Sequence, residues 1–165
     1  MSQILIRTLG TQDRDAINEV ITEAVLAWSL PERMKRLALP LLCYDEVDLG
    51  HFHAIGAYGY GRTARPTGLF GIALWDQDAL HGLYVRPQAQ GCGLGRGLLA
   101  SVAAHAQEAG IRRLLIKAER VSAGYFQRQG LAAAGSESSY PYAFYLDTGA
   151  APLVEVCPVA RPART

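Results

Sequence analysis

The chain has 165 residues, of which 50% are hydrophobic and 19% charged. That length suits one domain with a core large enough to need neither disulfides nor metal, and the composition excludes intrinsic disorder. Sixteen Lys and Arg against fifteen Asp and Glu give a net charge of +1, which argues against a protein held to nucleic acid by bulk charge.

Cys43, Cys92 and Cys157 are widely spaced and contain no CxxC pair, so they read as reduced thiols in a cytoplasmic protein. Residues 1–9 lack the basic start and apolar run of a secretory signal, and no stretch reaches the roughly 18 apolar residues of a membrane span. No membrane partner is expected.

Ile4, Leu5 and Ile6 begin a first strand that ends at Gly10. From Asp13 the period lengthens. Ile17, Val20, Ile21, Ala24, Val25 and Trp28 recur at helical spacing, and Pro31 ends that helix. A second helix runs from Glu32 to near Leu39, where Pro40, lacking an amide proton, kinks or ends it. The acidic stretch 44–50 reads as a loop. Apolar runs at 51–60, 68–75 and 80–85, joined by a turn at 62–66 and by Asp76-Gln77-Asp78, imply an antiparallel meander. A helix carrying Leu94, Leu98, Val102 and Ala106 on one face follows, with Gly110 as its stop. Leu114, Leu115 and Ile116 form the next strand, 122–129 a short helix, and 131–134 with 142–146 a closing pair of strands. The expected fold is α/β, one domain over residues 1–147. Its mixed, mostly antiparallel sheet is flanked by helices, and an irregular proline-containing tail follows over 148–165.

The most informative segment is Gln88-Ala89-Gln90-Gly91-Cys92-Gly93-Leu94-Gly95-Arg96-Gly97. Four glycines at alternate positions before a helix bare the main chain along one side of a turn, so several amide protons can converge on one ligand. The helix N-terminus behind them favours an anion by about 0.3–1 kcal/mol near the surface, and a diphosphate is the natural guest. The dinucleotide fingerprint GxGxxG fails on register, since Arg96 or Leu98 stands where its third glycine belongs. The P-loop fails for want of Gly-Lys-Ser/Thr.

Gln88-x-x-Gly91-x-Gly93 and Gln90-x-x-Gly93-x-Gly95 both resemble the Q/R-x-x-G-x-G/A signature of the GCN5-related N-acetyltransferases. Leu83-Tyr84-Val85-Arg86-Pro87 is similar to that family's strand and turn before the loop, and Tyr125-Phe126-Gln127-Arg128-Gln129-Gly130-Leu131 to the end of its second motif. The resemblance covers about 80–131. It implies an N-acetyltransferase that uses acetyl-CoA as co-substrate. The amides of Gln90, Gly91, Cys92, Gly93, Leu94, Gly95 and Arg96 would hold the diphosphate. The main chain of Leu83, Tyr84 and Val85 would pair with the pantetheine arm, much as a peptide adds to a sheet edge. A primary amine of a small molecule is the expected acceptor, attacking the thioester directly in a ternary complex. A protein amine, or a CoA-binding sensor with little turnover, is the alternative. A homodimer is compatible with the resemblance.

Attack by an amine needs a base to take its proton, and an acid can return one to the leaving thiolate. His81 is the base candidate, because imidazole titrates near neutral pH and strand alternation puts it on the face of Leu83 and Val85. Leu80-His81-Gly82-Leu83 is also similar to a strand of the serotonin-type members. Asp76 and Asp78 in the preceding turn are alternative bases. The acid is Tyr125, or another hydroxyl such as Tyr84 or Ser122, or none, since Phe126 stands where many members carry tyrosine. His51 and His53 would share a strand face, though no third metal ligand accompanies them. Cys92 reads as a small loop residue. Arg86 and Arg96 flank the loop and are the better candidates for a CoA phosphate; Arg112, Arg113 and Lys117 suit a solvated strand end. Tyr140 and Tyr142 are the preferred acceptor wall, with Trp28 read as core.

Overall fold

The computed structural model describes residues 4–60 and 66–149. Along the chain run β1 (Ile4–Leu9), α1 (Arg14–Leu26), α2 (Glu32–Leu42), α3 (Glu46–His51), β2 (His53–Tyr60), β3 (Pro66–Trp75), β4 (Ala79–Val85), α4 (Leu94–Glu108), β5 (Arg113–Lys117), α5 (Arg120–Arg128), β6 (Ala132–Ala133) and β7 (Ala143–Asp147). The strands form one sheet in the order β1-β2-β3-β4-β5-β7-β6. Only β4 and β5 are parallel neighbours, so the sheet is mixed and mostly antiparallel, as expected.

Both faces of the sheet are covered, each by a helix whose apolar stripe the sequence displays. Leu94, Leu98, Leu99, Val102 and Ala106 of α4 pack with Leu80, Leu114, Ile116, Phe126 and Phe144 on one face. Ile17, Val20, Ile21, Ala24 and Val25 of α1 pack with Ile72, Leu74 and Tyr84 on the other. A large apolar side chain fully buried in this way is stabilised by about 1.5–3 kcal/mol. The two cores fix the central strands β3 and β4 from both sides, and the site is built at the end of β4.

The structure departs from the sequence expectation between 40 and 53. Pro40 does not end α2. It sits in the last turn, where the Cys43 amide still donates to the Leu39 carbonyl at 3.0 Å. The acidic stretch expected as a loop contains α3. Asp45 caps it by accepting from the Asp48 amide at 2.8 Å, while the Asp48 carboxylate accepts from the Asp45 amide in return. His51 therefore ends a helix and His53 begins a strand, so the two do not share a strand face. Among the described residues no three His, Cys, Asp or Glu side chains form a metal-binding group. The expected 62–66 turn (but for Pro66), Cys157 and the tail from 150 lie outside the described residues.

Candidate active site

β4 and β5 pair only through Ala79 with Leu115 and Leu80 with Ile116. Beyond Leu80 the parallel strands part, and residues 81–85 have no partner in β5. The Arg86 amide donates to the Phe70 carbonyl at 2.8 Å across the β3 side. Strand alternation therefore turns the main-chain groups of Leu83 and Val85 toward the open side, and those of Tyr84 toward β3. The Val85 carbonyl is met there by the Gln90 side-chain amide, which donates at 3.1 Å.

His81 stands where the strands begin to part. On the β3 side Leu74 pairs with Gly82 and Trp75 with Leu80, so His81 is the extra residue of a β-bulge. The bulge breaks the alternation expected from the sequence. Leu83 and Val85 pack into the α4 core, whereas the His81 ring lies 4.6 Å from that of Phe52, which belongs to the α1 core. His81 thus serves the opposite face from the one expected. Its Nε2 is 2.7 Å from Oδ2 of Asp76. Oδ1 of Asp76 accepts from the amides of Asp78 and Ala79, both at 2.8 Å. Burial acts to raise the Asp76 pKa. The two amides and His81 outweigh it, so the carboxyl lies below its ordinary range.

The gap opened by the parting is a cleft lined by Trp28, Leu42, His81, Tyr84, Ser122 and Phe126, with Glu119 also on its wall. Tyr84 is 8% exposed, and burial first, then the charge of neighbouring Tyr44, pushes its hydroxyl pKa up. Tyr44 itself is pushed up to about 12, again chiefly by burial.

The glycine loop joins the end of β4 to α4. Gly91 and Gly93 adopt φ of 77° and 78°, a region that side-chain-bearing residues rarely enter, and Gly93 caps α4 in that conformation. The first backbone bond of α4 runs from Gly97 to Gly93, so the amides of residues 91–96 have no hydrogen-bond partner among the described residues. Beside them the Tyr125 hydroxyl is buried without a hydrogen-bond partner, against Gly95. Burial raises its pKa, and Arg96 and Arg128 oppose that rise. Unpartnered amides, a glycine with no room for a Cβ, an orphaned hydroxyl and an unpaired strand edge together fit a long ligand with a diphosphate at one end.

Residues 21–131 match the acetyltransferase (GNAT) family. The chain belongs to that family. It is accordingly an acyl-CoA-dependent N-acyltransferase, and acetyl-CoA is the co-substrate of such enzymes. Solved structures share the fold at low identity. The PaiA N-acetyltransferase of Thermoplasma acidophilum, in complex with coenzyme A, is 18% identical over 88% of this chain and 99% of its own, with a TM-score of 0.69. A GCN5-related N-acetyltransferase of Rhodopseudomonas palustris is 17% identical over 89% and 97%, with a TM-score of 0.70. A GNAT acetyltransferase of Brucella melitensis, in complex with acetyl-CoA, is 19% identical over 90% of each chain, with a TM-score of 0.60. No curated protein matches the sequence.

Within this GNAT enzyme the sequence candidates divide. His81, Tyr84 and Ser122 meet at the cleft; Tyr125 does not line it, and Phe126 does. Gly91, Cys92 and Gly93 are exposed on the loop and Arg96 in the first turn of α4, and the Cys92 thiol makes a 3.8 Å contact with the Gln90 carbonyl. Arg96 holds Gln129 through Nε at 3.0 Å. Arg86 is not available to a phosphate. Its guanidinium is bound to the Leu69 carbonyl at 2.7 Å, to Glu23, and to Glu19 at 3.5 Å, so it ties α1 to the end of β4. Arg113 pairs with Asp147 at 3.0 Å, and Lys117 lies 4.6 Å above the Tyr140 ring. Tyr140 and Tyr142 are exposed and do not line the cleft, whereas Trp28 does. The sequence reading missed Leu42 and Glu119. Leu42 follows a proline expected to kink or end its helix, and Glu119 carries no motif of its own.

Proposed function

We propose that this enzyme acetylates the primary amine of a small molecule by direct attack within a ternary complex, in the cytoplasm. One arrangement carries the reading: the edge of β4 that has no partner in β5 begins at His81, which lines the cleft, and leads along the chain to the unpartnered amides of 91–96. The thioester of the co-substrate supplies the acyl group.

The chain's residues supply positioning and proton transfer. The loop amides and Arg96 hold the diphosphate. The main chain of Leu83 and Val85 pairs with the pantetheine amides and aligns the reacting carbon, and a free amide on that edge polarises the thioester carbonyl. The acceptor lies along Trp28 and Leu42, with Glu119 receiving its ammonium group. His81 takes the proton, directly or through water, so that the neutral nitrogen attacks. Tyr125, expected as the acid, has its hydroxyl at Gly95, and we assign it to binding the co-substrate. Tyr84 and Ser122 are the hydroxyls in the cleft that can donate a hydrogen bond to the leaving sulfur.

The test is thiol release from acetyl-CoA across a panel of small amines and lysine peptides. Turnover of small amines, lost in His81→Ala, is expected. Turnover of peptides alone would transfer the assignment to a protein acceptor. Phe126 in the cleft, where a tyrosine hydroxyl is common in the family, favours one second reading, a CoA-binding module with little turnover. Calorimetric binding of CoA with no thiol release on any amine would establish it.

A further inference from the structure

Asp76 precedes β4 and is held there by three hydrogen bonds. Its two oxygens are engaged separately. Oδ1 accepts from the amides of Asp78 and Ala79, and Oδ2 faces Nε2 of His81 at 2.7 Å. The first pair of bonds fixes the carboxylate relative to the start of the strand, so the second bond fixes the imidazole. The Phe52 ring, tilted 41° to the imidazole at 4.6 Å, packs against it. His81 Nδ1 has no hydrogen-bond partner among the described residues.

A carboxylate has only acceptor sites, so a neutral imidazole bound to it must present N–H at the bonded nitrogen and its lone pair at the other. We propose that Asp76 is the positioning residue of His81, holding the proton on Nε2 so that Nδ1 is the atom that accepts the proton of the acceptor amine. This rests on the reading of His81 as the proton acceptor. In the step itself Nδ1 takes one proton from the acceptor's ammonium group, and the imidazole becomes an imidazolium beside Asp76; the neutral nitrogen then bonds to the acyl carbon as the carbon–sulfur bond breaks, and the electron pair leaves with the sulfur, which takes the second nitrogen proton. The positive charge so formed is adjacent to a carboxylate already in place, and no reorganisation is needed to meet it. The bulge is part of the same device. It turns His81 from the α4 face toward Phe52, so that one residue inserted into β4 sets the orientation of the base.

Two measurements test the proposal, and the first needs no substrate. Nitrogen-15 NMR of the histidine-labelled enzyme at a pH where His81 is neutral should show Nε2 protonated and Nδ1 bare. Asp76→Asn, which keeps an oxygen for the two turn amides, should release that preference. A wild-type spectrum with the proton on Nδ1 overturns the proposal whatever the acceptor proves to be.

The second measurement is steady-state kinetics with the best amine of the panel. Asp76→Asn should lower kcat by at least about 10-fold, because the imidazole loses the carboxylate that fixes its tautomer, with both KM values unchanged. Gln77→Ala, at an exposed residue of the same turn whose side chain makes no hydrogen bond among the described residues, should leave kcat as it is. An unchanged kcat in Asp76→Asn, or an effect confined to KM, overturns the proposal. If no amine is turned over, the acyltransfer reading of His81 fails, and with it the proposal's role for Nδ1. The spectrum would then still report separately whether Asp76 sets the tautomer.

Discussion

The Tyr125 hydroxyl rests on Gly95 so closely that a Cβ at residue 95 would lie 2.7 Å from its oxygen. Glycine here is required by that close approach and not by its backbone angles, since only Gly91 and Gly93 of the loop have positive φ. Gly95→Ala should therefore overpack the contact and destabilise the protein by about 1–3 kcal/mol. In a Tyr125→Phe background the colliding oxygen is gone, and most of that loss should disappear. Urea denaturation of the two single variants and the double variant measures the coupling. Tyr125→Phe alone should cost no stability, because its hydroxyl forms no bond in the free enzyme. It should weaken CoA binding by the equivalent of one hydrogen bond, about 0.5–1.5 kcal/mol, read by calorimetry.

Arg86 and Arg96 both flank the loop in sequence but have different work in the fold. Arg86 is 13% exposed at its side chain and is engaged by Glu23, Glu19 and the Leu69 carbonyl. Arg86→Ala should lower stability by about 1.5–3 kcal/mol, the range for hydrogen bonds to charged groups. Arg96 is exposed and makes one side-chain bond, to Gln129. Arg96→Ala should leave stability nearly unchanged and raise the Kd for CoA, with a weaker dependence on salt than the wild type. Thermal denaturation and calorimetry at two salt concentrations separate the two arginines.

How far the sequence reveals this site depends on the range of the interactions involved. The glycine loop and the α1 and α4 stripes are local patterns, and the structure reproduces them because each is fixed by spacing within one element. The bulge at His81 depends on the register of Trp75 against Leu80, and the parting of β4 from β5 on how β5 pairs with β7. Neither register is written in the residues of β4. A period-2 pattern read through a bulge puts every residue on one side of it on the wrong face, which is what happened to His81. The partners of Arg86 lie 63 and 67 residues away on α1. The missed helix α3 is different. Asp45-x-x-Asp48 is a legible cap, obscured by the acidity of the stretch around it.

Alkaline pH offers a test of the buried tyrosines beside the cleft. Burial, and then the charge of Asp48, raises Tyr44 from its ordinary 10.0 to about 12 in the folded chain. The unfolded chain loses that proton first, so the contribution to stability is complete below pH 10 and declines as pH rises toward 12. Tyr84 is shifted in the same direction, also by burial, and steepens the decline. Denaturant midpoints measured across this range should fall with pH in the wild type. They should fall less in Tyr44→Phe, which has no proton to lose at that position.

The proposed acceptor side of the cleft rests on Trp28, just beyond the last turn of α1. Its ring packs partly against the α1 core and is also part of the cleft wall. In the proposed complex the loop and the free edge of β4 contact the co-substrate without it. Trp28→Ala should accordingly raise KM for the acceptor amine while leaving KM and Kd for acetyl-CoA close to the wild-type values. Removal of apolar area from an acceptor's binding surface costs about 25 cal/mol per Å². The loss should therefore be large for amines with a long apolar or aromatic tail and small for short alkylamines. Initial rates for a homologous series of alkylamines, in both proteins, give the slope of log(kcat/KM) against tail length. That slope should be shallower in Trp28→Ala, whereas parallel lines would place the tail against another wall of the cleft.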